Sequence, residues 1–267
     1  MNQQFQQEVA TYFNKRNNYD QEGDFHPKLA ARLIQHSQIS QGQKILDMAT
    51  GTGLVAIEAA KIVGEKGWVV GVDISPGMLS LAEKKILDAG LTNIELQQAD
   101  ALKIELPEKT FDWVFCCASL PYLENIPQAL QHWQTFLKPG GRMGLCVFGE
   151  TAFIAGIILR QVAQKYGVFL LSWNETTGTE EKCYQLLNNV GFQQVKVITE
   201  QFGGYISLAQ AKKIWDNSLI NPLCRPLQQI SASELKQLQG EFFTELEELV
   251  TELGIWNDIT TFFVFAD

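Results

Sequence analysis

Residues 45–60, "ILDMATGTGLVAIEAA", decide the fold. An apolar run of strand length carries Asp47 into a turn containing Gly51 and Gly53, and "LVAIEAA" then begins a helical pattern. Strand, glycine turn and helix open a βαβ unit, and glycines at such a turn let a ligand come close to the backbone. By spacing alone, Gly51, Gly53 and Ala56 also fit the loop that grips a dinucleotide pyrophosphate. Asp47 argues against that reading, because a carboxylate just ahead of the loop repels phosphate. The turn predicts a ligand without phosphate.

Working outward, "KILDMA", "WVVGVDI", "NIELQQA", "FDWVFCC" and "RMGLCVF" are strand-length runs separated by helical patterns such as "SPGMLSLAEKKILDAG". This alternation predicts an α/β, doubly wound, mostly parallel sheet of Rossmann-like type with helices on both faces. "FQQVKVITEQF" and "TTFFVFAD" supply two more strands, for a total of seven. Residues 1–40 form a helical lead-in and 41–150 the ligand-binding core. Residues 151–267 hold the last two strands and two surplus pieces, 150–178 and 202–258, expected as a helical cover within one domain. In the second piece "SLAQAKKIWDNSL" and "SASELKQLQGEFFTELEELVTELG" read as helices, with Ser231 or Ser233 as cap of the latter and Glu234 completing a capping box if Ser231 takes that role.

The 267 residues carry a formal net charge of −9, which offers no basic face for a polyanion, so nucleic acid is not expected as a partner. The opening segment is polar with helical spacing rather than a secretion leader, and "FIAGIILRQVAQKYGVFLLSW" is broken by Arg160, Gln161, Gln164 and Lys165. No integral membrane segment and a cytoplasmic location are expected. Five scattered cysteines show neither a paired framework nor a metal spacing, and the three histidines lie far apart. Reduced thiols and no metal are expected.

In an open parallel sheet the ligand lies beyond the carboxyl ends of the strands. Asp47, Asp73 and Asp100 fall at three successive strand ends. A carboxylate at Asp73 can accept both hydroxyls of a ribose, and one at Asp100 can accept from an adenine amino group. Three acids around a glycine turn describe a nucleoside rich in donors and carrying positive charge, which is S-adenosyl-L-methionine; Asp47 faces its amino-acid end or the solvation shell there. A nicotinamide site would leave Asp47, Asp100 and "LKPGG" without a role. For Asp73 alone the plain alternative is a helix cap, and Asp112, which begins a strand, reads as structural.

The sequence resembles the class I S-adenosylmethionine-dependent methyltransferases, and within them the small-molecule branch similar to ubiquinone/menaquinone C-methyltransferases. "FNKRNNYD", "HPKLA", "ILDMATGTG", "VVGVDISPGML", "NIELQQADAL", "FDWVFCCASLPYL" and "FLKPGGRMGL" occur in the family's order, with Ala49 where many members have the first glycine. The resemblance implies that Asp47, Gly51 and Gly53, with Ala49 in the same loop, line the methionine part. It implies Asp73 for the ribose, Ile74 and Met78 for the purine faces, Asp100 with Ala101 for the adenine edge, Cys117 and Ala118 near the sulfonium, and Tyr19 closing over the amino-acid tail. S-adenosyl-L-homocysteine would be the product.

The expected reaction is methyl transfer to an O, N or C atom of a small, ring-bearing acceptor. Tyr19, His26 and Tyr122 are the acid–base candidates near the pocket mouth, and His26 alone has an ordinary pKa suited to neutral pH. Tyr122 and Trp215 are the expected acceptor contacts, although an aromatic at helical spacing is as readily core. His36 and His132 read as solvated helix residues, and Cys116 and Cys117, pointing to opposite faces of a strand, as packing. The alternatives are a nicotinamide-dependent oxidoreductase and a non-catalytic cofactor- or partner-binding protein.

Overall fold

The computed structural model describes residues 3–16, 18–21 and 23–267. Two helices, α1 (Gln3–Asn14) and α2 (Phe25–Ser37), lead into β1 (Lys44–Met48), α3 (Leu54–Val63), β2 (Trp68–Asp73), α4 (Pro76–Asp88) and β3 (Ile94–Gln98). Then come β4 (Phe111–Cys117), α5 (Ile126–Gln134), β5 (Leu137–Phe148), α6 (Ile154–Lys165), α7 (Glu180–Val190) and β6 (Lys196–Gln201). The chain finishes with β7 (Gly204–Ile206), α8 (Leu208–Lys212), α9 (Ile214–Ser218), α10 (Ala232–Glu248), β8 (Ile255–Asn257) and β9 (Thr260–Ala266).

Seven strands form one sheet in the order β3-β2-β1-β4-β5-β9-β6, the doubly wound arrangement expected. The pairs β1–β2, β2–β3, β1–β4 and β4–β5 are parallel. Strand order reverses between β1 and β4, which sets the carboxyl ends of β1, β2, β3 and β4 around the switch point where ligands bind in such sheets. The central strands are buried on both faces, and for that reason they read as continuous apolar runs.

Contacts within the chain separate two compact units. The first takes the chain up to Val147 together with Thr179–Ile198 and Phe262–Asp267; the second is Phe148–Gly178 with Thr199–Thr261. The core of the first includes Leu46, Val72, Val114, Trp133 and Leu145. Trp133 is fully buried, and its indole N–H donates to Ala101 O at 2.8 Å, so the largest core side chain leaves no orphan donor. Asp112, read as structural, accepts from Lys44 N at 2.7 Å and pairs with Lys138, tying β4 to the strands beside it.

The second unit has its own core, in which Leu159 and Val162 of α6 meet Trp215, Leu227, Leu238 and Phe242. Its long helix α10 starts where the capping box predicted: Ser231 Oγ accepts from Glu234 N at 3.2 Å, and Glu234 Oε2 accepts from Ser231 N at 3.1 Å. Two features here were not foreseen. The expected helix over 207–219 divides at Lys213 into α8 and α9, and β7 pairs antiparallel with β8 in a separate two-stranded sheet. No helix among the described residues is long and apolar enough to cross a membrane.

Candidate functional site

The glycine turn is built from the sheet upward. Asp47 is 1% exposed on β1 and lies in register with Gly71 of β2 and Phe115 of β4. Its Oδ2 accepts from Thr50 Oγ1 at 2.6 Å. Gly71 makes room for that hydroxyl, because a Cβ built there would come within 3.0 Å of Thr50 Oγ1 and 2.9 Å of Leu96. At the end of β2, Asp73 Oδ2 accepts from Gly51 N and Oδ1 from Ser75 N, both at 2.8 Å. Asp73 thus ties the glycine turn to the start of α4, whose first turn is also capped by Ser75.

These bonds decide what the turn can hold. In a pyrophosphate loop the backbone amides point at the ligand. Here Thr50 N donates to Val72 O at 2.9 Å, Gly51 N to the Asp73 carboxylate, and Gly53 N to Thr50 O at 2.8 Å. Three amides of the turn are therefore spent internally, and the acids beside them are buried. Burial pushes the Asp47 carboxyl up to about 7; the Thr50 hydroxyl and the Ala56 backbone pull it down, and the charge of Asp73 adds to the rise. Burial also raises Asp73, against the N–H groups of Ser75, Gly51 and Ile74. Among the described residues no cation acts on either acid. Two desolvated carboxylates without a counter-charge fit a cationic, donor-rich nucleoside and oppose a phosphate.

Ala49 has φ +54°, a left-handed conformation that costs a non-glycine residue about 1 kcal/mol. The departure from glycine is thus tolerated with strain. Of the purine contacts expected, Ile74 is half-buried, whereas Met78 is 2% exposed on the inner side of α4 and presents almost no surface. Met78 is thus held in the packing of α4, as Asp47 is held in that of β1. Asp100 Oδ1 accepts from Leu102 N at 2.9 Å, and Lys103 lies 3.7 Å from its other oxygen. Ala101 is buried beside it. Cys117 and Ala118 are half-buried at the end of β4, with Ala118 at φ +57° and its N–H on Cys146 O at 2.9 Å. The five cysteines are free.

The three acid–base candidates come together. The Tyr19 and His26 rings stack at 4.7 Å, and Phe13 meets Tyr122 edge-on at 5.1 Å and Tyr19 at 6.4 Å. The Arg16 guanidinium lies 4.5 Å over the Tyr19 ring. The other histidines differ from expectation: His132 is half-buried, its Nε2 2.7 Å from Ile104 O, and His36 packs on Phe263 at 5.4 Å. Trp215, expected to touch the acceptor, is 4% exposed and stacks at 6.0 Å on Phe242 in the second unit's core. It is a packing residue, because the apolar face of α10 closes over its indole.

Two residues of the lead-in went unnoticed in the sequence. Asn14 Oδ1 accepts from Ser75 Oγ at 2.7 Å and from Gly77 N at 2.9 Å, at the first turn of α4. Asp20 accepts from Thr52 Oγ1 at 2.6 Å and pairs with Lys85 at 2.5 Å. The lead-in is thereby fastened to both the glycine turn and the turn that carries Asp73. Asp20 adjoins Tyr19 in "FNKRNNYD", but a carboxylate whose partners lie 32 and 65 residues away has no local sequence signal.

A family model described as a methyltransferase domain matches residues 45–141. Aklanonic acid methyltransferase DauC of Streptomyces sp. (strain C5) is 33% identical over 154 residues, which cover 57% of this chain and 69% of that protein. The ubiquinone/menaquinone biosynthesis C-methyltransferase UbiE of Cronobacter sakazakii is 36% identical over 121 residues; the match spans 45% of this chain and 48% of that enzyme's length. Among solved structures, a putative methyltransferase from Bacillus halodurans C-125 superposes with a TM-score of 0.59 at 20% identity, covering 89% of this chain and 97% of that one, a likeness of fold.

Proposed function

We propose, from the premise that the chain belongs to the class I S-adenosylmethionine-dependent methyltransferases, that it methylates an O, N or C atom of a small, ring-bearing metabolite. The observation that carries the cofactor reading is the glycine turn itself, with three amides spent inside the protein and two buried acids beside them. The names of the relatives support the acceptor class, one referring to aklanonic acid and the other to ubiquinone and menaquinone biosynthesis, and quinones are rings.

When bound, the cofactor supplies an electrophilic methyl carbon on a sulfonium. Asp73 retains lone pairs beyond those given to Gly51 and Ser75, and these take the ribose hydroxyls. Asp100 and Ala101 hold the adenine edge, Ile74 lies against the purine, and Asp47, Ala49, Gly51 and Gly53 line the methionine part, with Cys117 and Ala118 at the end of β4. Tyr19 covers the amino-acid tail, kept in place by Asp20 on Thr52. Holding a nucleophile in line, in a site cleared of water, can supply about 7–11 kcal/mol of the barrier. His26 takes a proton from acceptors that lose one as they attack, with Tyr122 beside the acceptor; such a base adds roughly 10²–10⁴-fold.

Transfer of radiolabelled methyl from S-adenosylmethionine into a panel of phenols, quinols and aromatic acids tests this reading. Labelling of at least one ring-bearing compound is expected. His26→Ala is expected to lower turnover at least about tenfold with unchanged affinity for S-adenosylhomocysteine. Cofactor binding with no labelling anywhere on the panel would favour a non-catalytic binding protein, and tight NADH binding without S-adenosylhomocysteine binding would favour the oxidoreductase.

A further inference from the structure

Helix α6 of the second unit buries Ala155, Leu159, Val162 and Ala163 in that unit's core. A different set, Gly156, Ile157 and Arg160, recurs at spacings of three and four and so shares one side of the helix, with Phe153 at the residue just before its first turn. All four are half-buried. A Cβ built on Gly156 would meet nothing within 4 Å, which leaves open space midway along this side. At one end Phe153 sits at φ +66°, an uncommon conformation for an aromatic residue, with its N–H on Asp258 O at 2.9 Å and its ring 6.2 Å from Trp173.

At the other end the Arg160 side chain makes no hydrogen bond and no ion pair with the described residues. Burial lowers its pKa, while the charges of Glu175 and Cys224 favour the charged form. A guanidinium carries five donors and stays ionised, and a half-buried one keeps some of them toward solvent, where an anion can take the place of water. The segment bearing Trp173 and Glu175 therefore runs beside this side of α6. It is anchored between them by Asn174, which is 3% exposed and donates its amide N–H to Gly149 O at 2.7 Å.

We propose that this side of α6 is a recognition site for a flat, ring-bearing oxyanion, an aromatic carboxylate or enolate, whose ring lies over Gly156 against Phe153 and Trp173 and whose charge meets Arg160. Seven residues of helix span about 10 Å, the length of a two- to three-ring aromatic acid. Phe153 and Trp173 supply the stacking surface and Arg160 a planar fork for both oxygens. The proposal rests on the methyltransferase reading only for the role of the site, which narrows the acceptor to acids and enolates.

The test is calorimetry with 2-naphthoate and its neutral isostere 2-naphthamide, with and without saturating S-adenosylhomocysteine, on wild type, Arg160→Gln and Arg160→Lys. Wild type is expected to bind the naphthoate at least about tenfold more tightly than the amide, as a charge-assisted pair supplies. Arg160→Gln should level the two to within about twofold without changing the affinity for the amide, and Arg160→Lys should keep part of the preference. Equal affinities in wild type, a preference that survives Arg160→Gln, or no uptake of either probe at millimolar concentration would each overturn the proposal. If Arg160→Gln does not fold, the wild-type ratio and Arg160→Lys decide the matter. Titration of S-adenosylhomocysteine alone separates the readings: its failure to bind removes the methyltransferase reading, while the naphthoate preference still reports on Arg160.

Discussion

The glycine turn and the side of α6 differ in how their chemistry is written. In the turn a run of nine residues, 45–53, supplies the strand end, the acid and the bend, held by Thr50 within the run and by Asp73 and Asp20 from outside it. At α6 the ring, the gap and the guanidinium are spread over the eight residues 153–160 and depend on a second segment, 173–175, to become a face. A cofactor common to many enzymes can be met by a local motif. An acceptor particular to one enzyme is met by side chains on a scaffold free to vary, because that scaffold carries its own core.

The largest way to break this contrast is Trp215→Ala. If the second unit is held by its own core, removal of this indole should cost about 3–5 kcal/mol of stability while the folded fraction binds S-adenosylhomocysteine unchanged. Chemical denaturation followed by titration reads both. A loss of cofactor affinity in protein that remains folded would show that the two regions are not separately built.

The next effect is on pH. The Asp47 carboxyl, raised by burial to about 7, binds a proton in the folded chain that an unfolded chain releases near the ordinary value of 3.8. Between these values the native state holds more protons than the unfolded one, so the contribution of Asp47 to stability falls as pH rises through that window. Asp47→Asn should therefore stabilise the ligand-free protein at pH 8 and flatten its pH profile between pH 4 and 7. A cationic ligand favours the carboxylate, so cofactor binding should release a proton and weaken as pH drops below about 7. Calorimetry in buffers of different ionisation enthalpy counts that proton, and a count of zero would mean that Asp47 is already ionised.

How much of this could be read in advance follows the same division. The central strands of the main sheet were legible because burial on both faces makes their runs continuous, and the start of α10 because the Ser231–Glu234 box is local. The three-residue strands β7 and β8 are too short for a period to register. The partners of Asn14 and Asp20 lie on other elements, and the burial of Met78 and Trp215 depends on what covers them, which pattern alone does not report.

A small effect sharpens the account of the turn. Ala49→Gly should relieve the left-handed φ of +54° and stabilise the protein by about 0.5–1 kcal/mol, after the unfolded chain's added freedom is subtracted. Unchanged or lower stability would mean that the turn gains from the methyl group more than it loses in strain.

The most direct measurement is the affinity of S-adenosylhomocysteine for wild type and Asp73→Ala by calorimetry. Asp73 joins Gly51 to Ser75 and is the acid assigned to the ribose, so its loss should weaken binding by about 1.5–3 kcal/mol. Thermal unfolding of the ligand-free variant shows whether the loop has survived. A folded Asp73→Ala that binds the cofactor product as tightly as wild type would contradict the claim that the strand-end acids of this sheet hold a nucleoside.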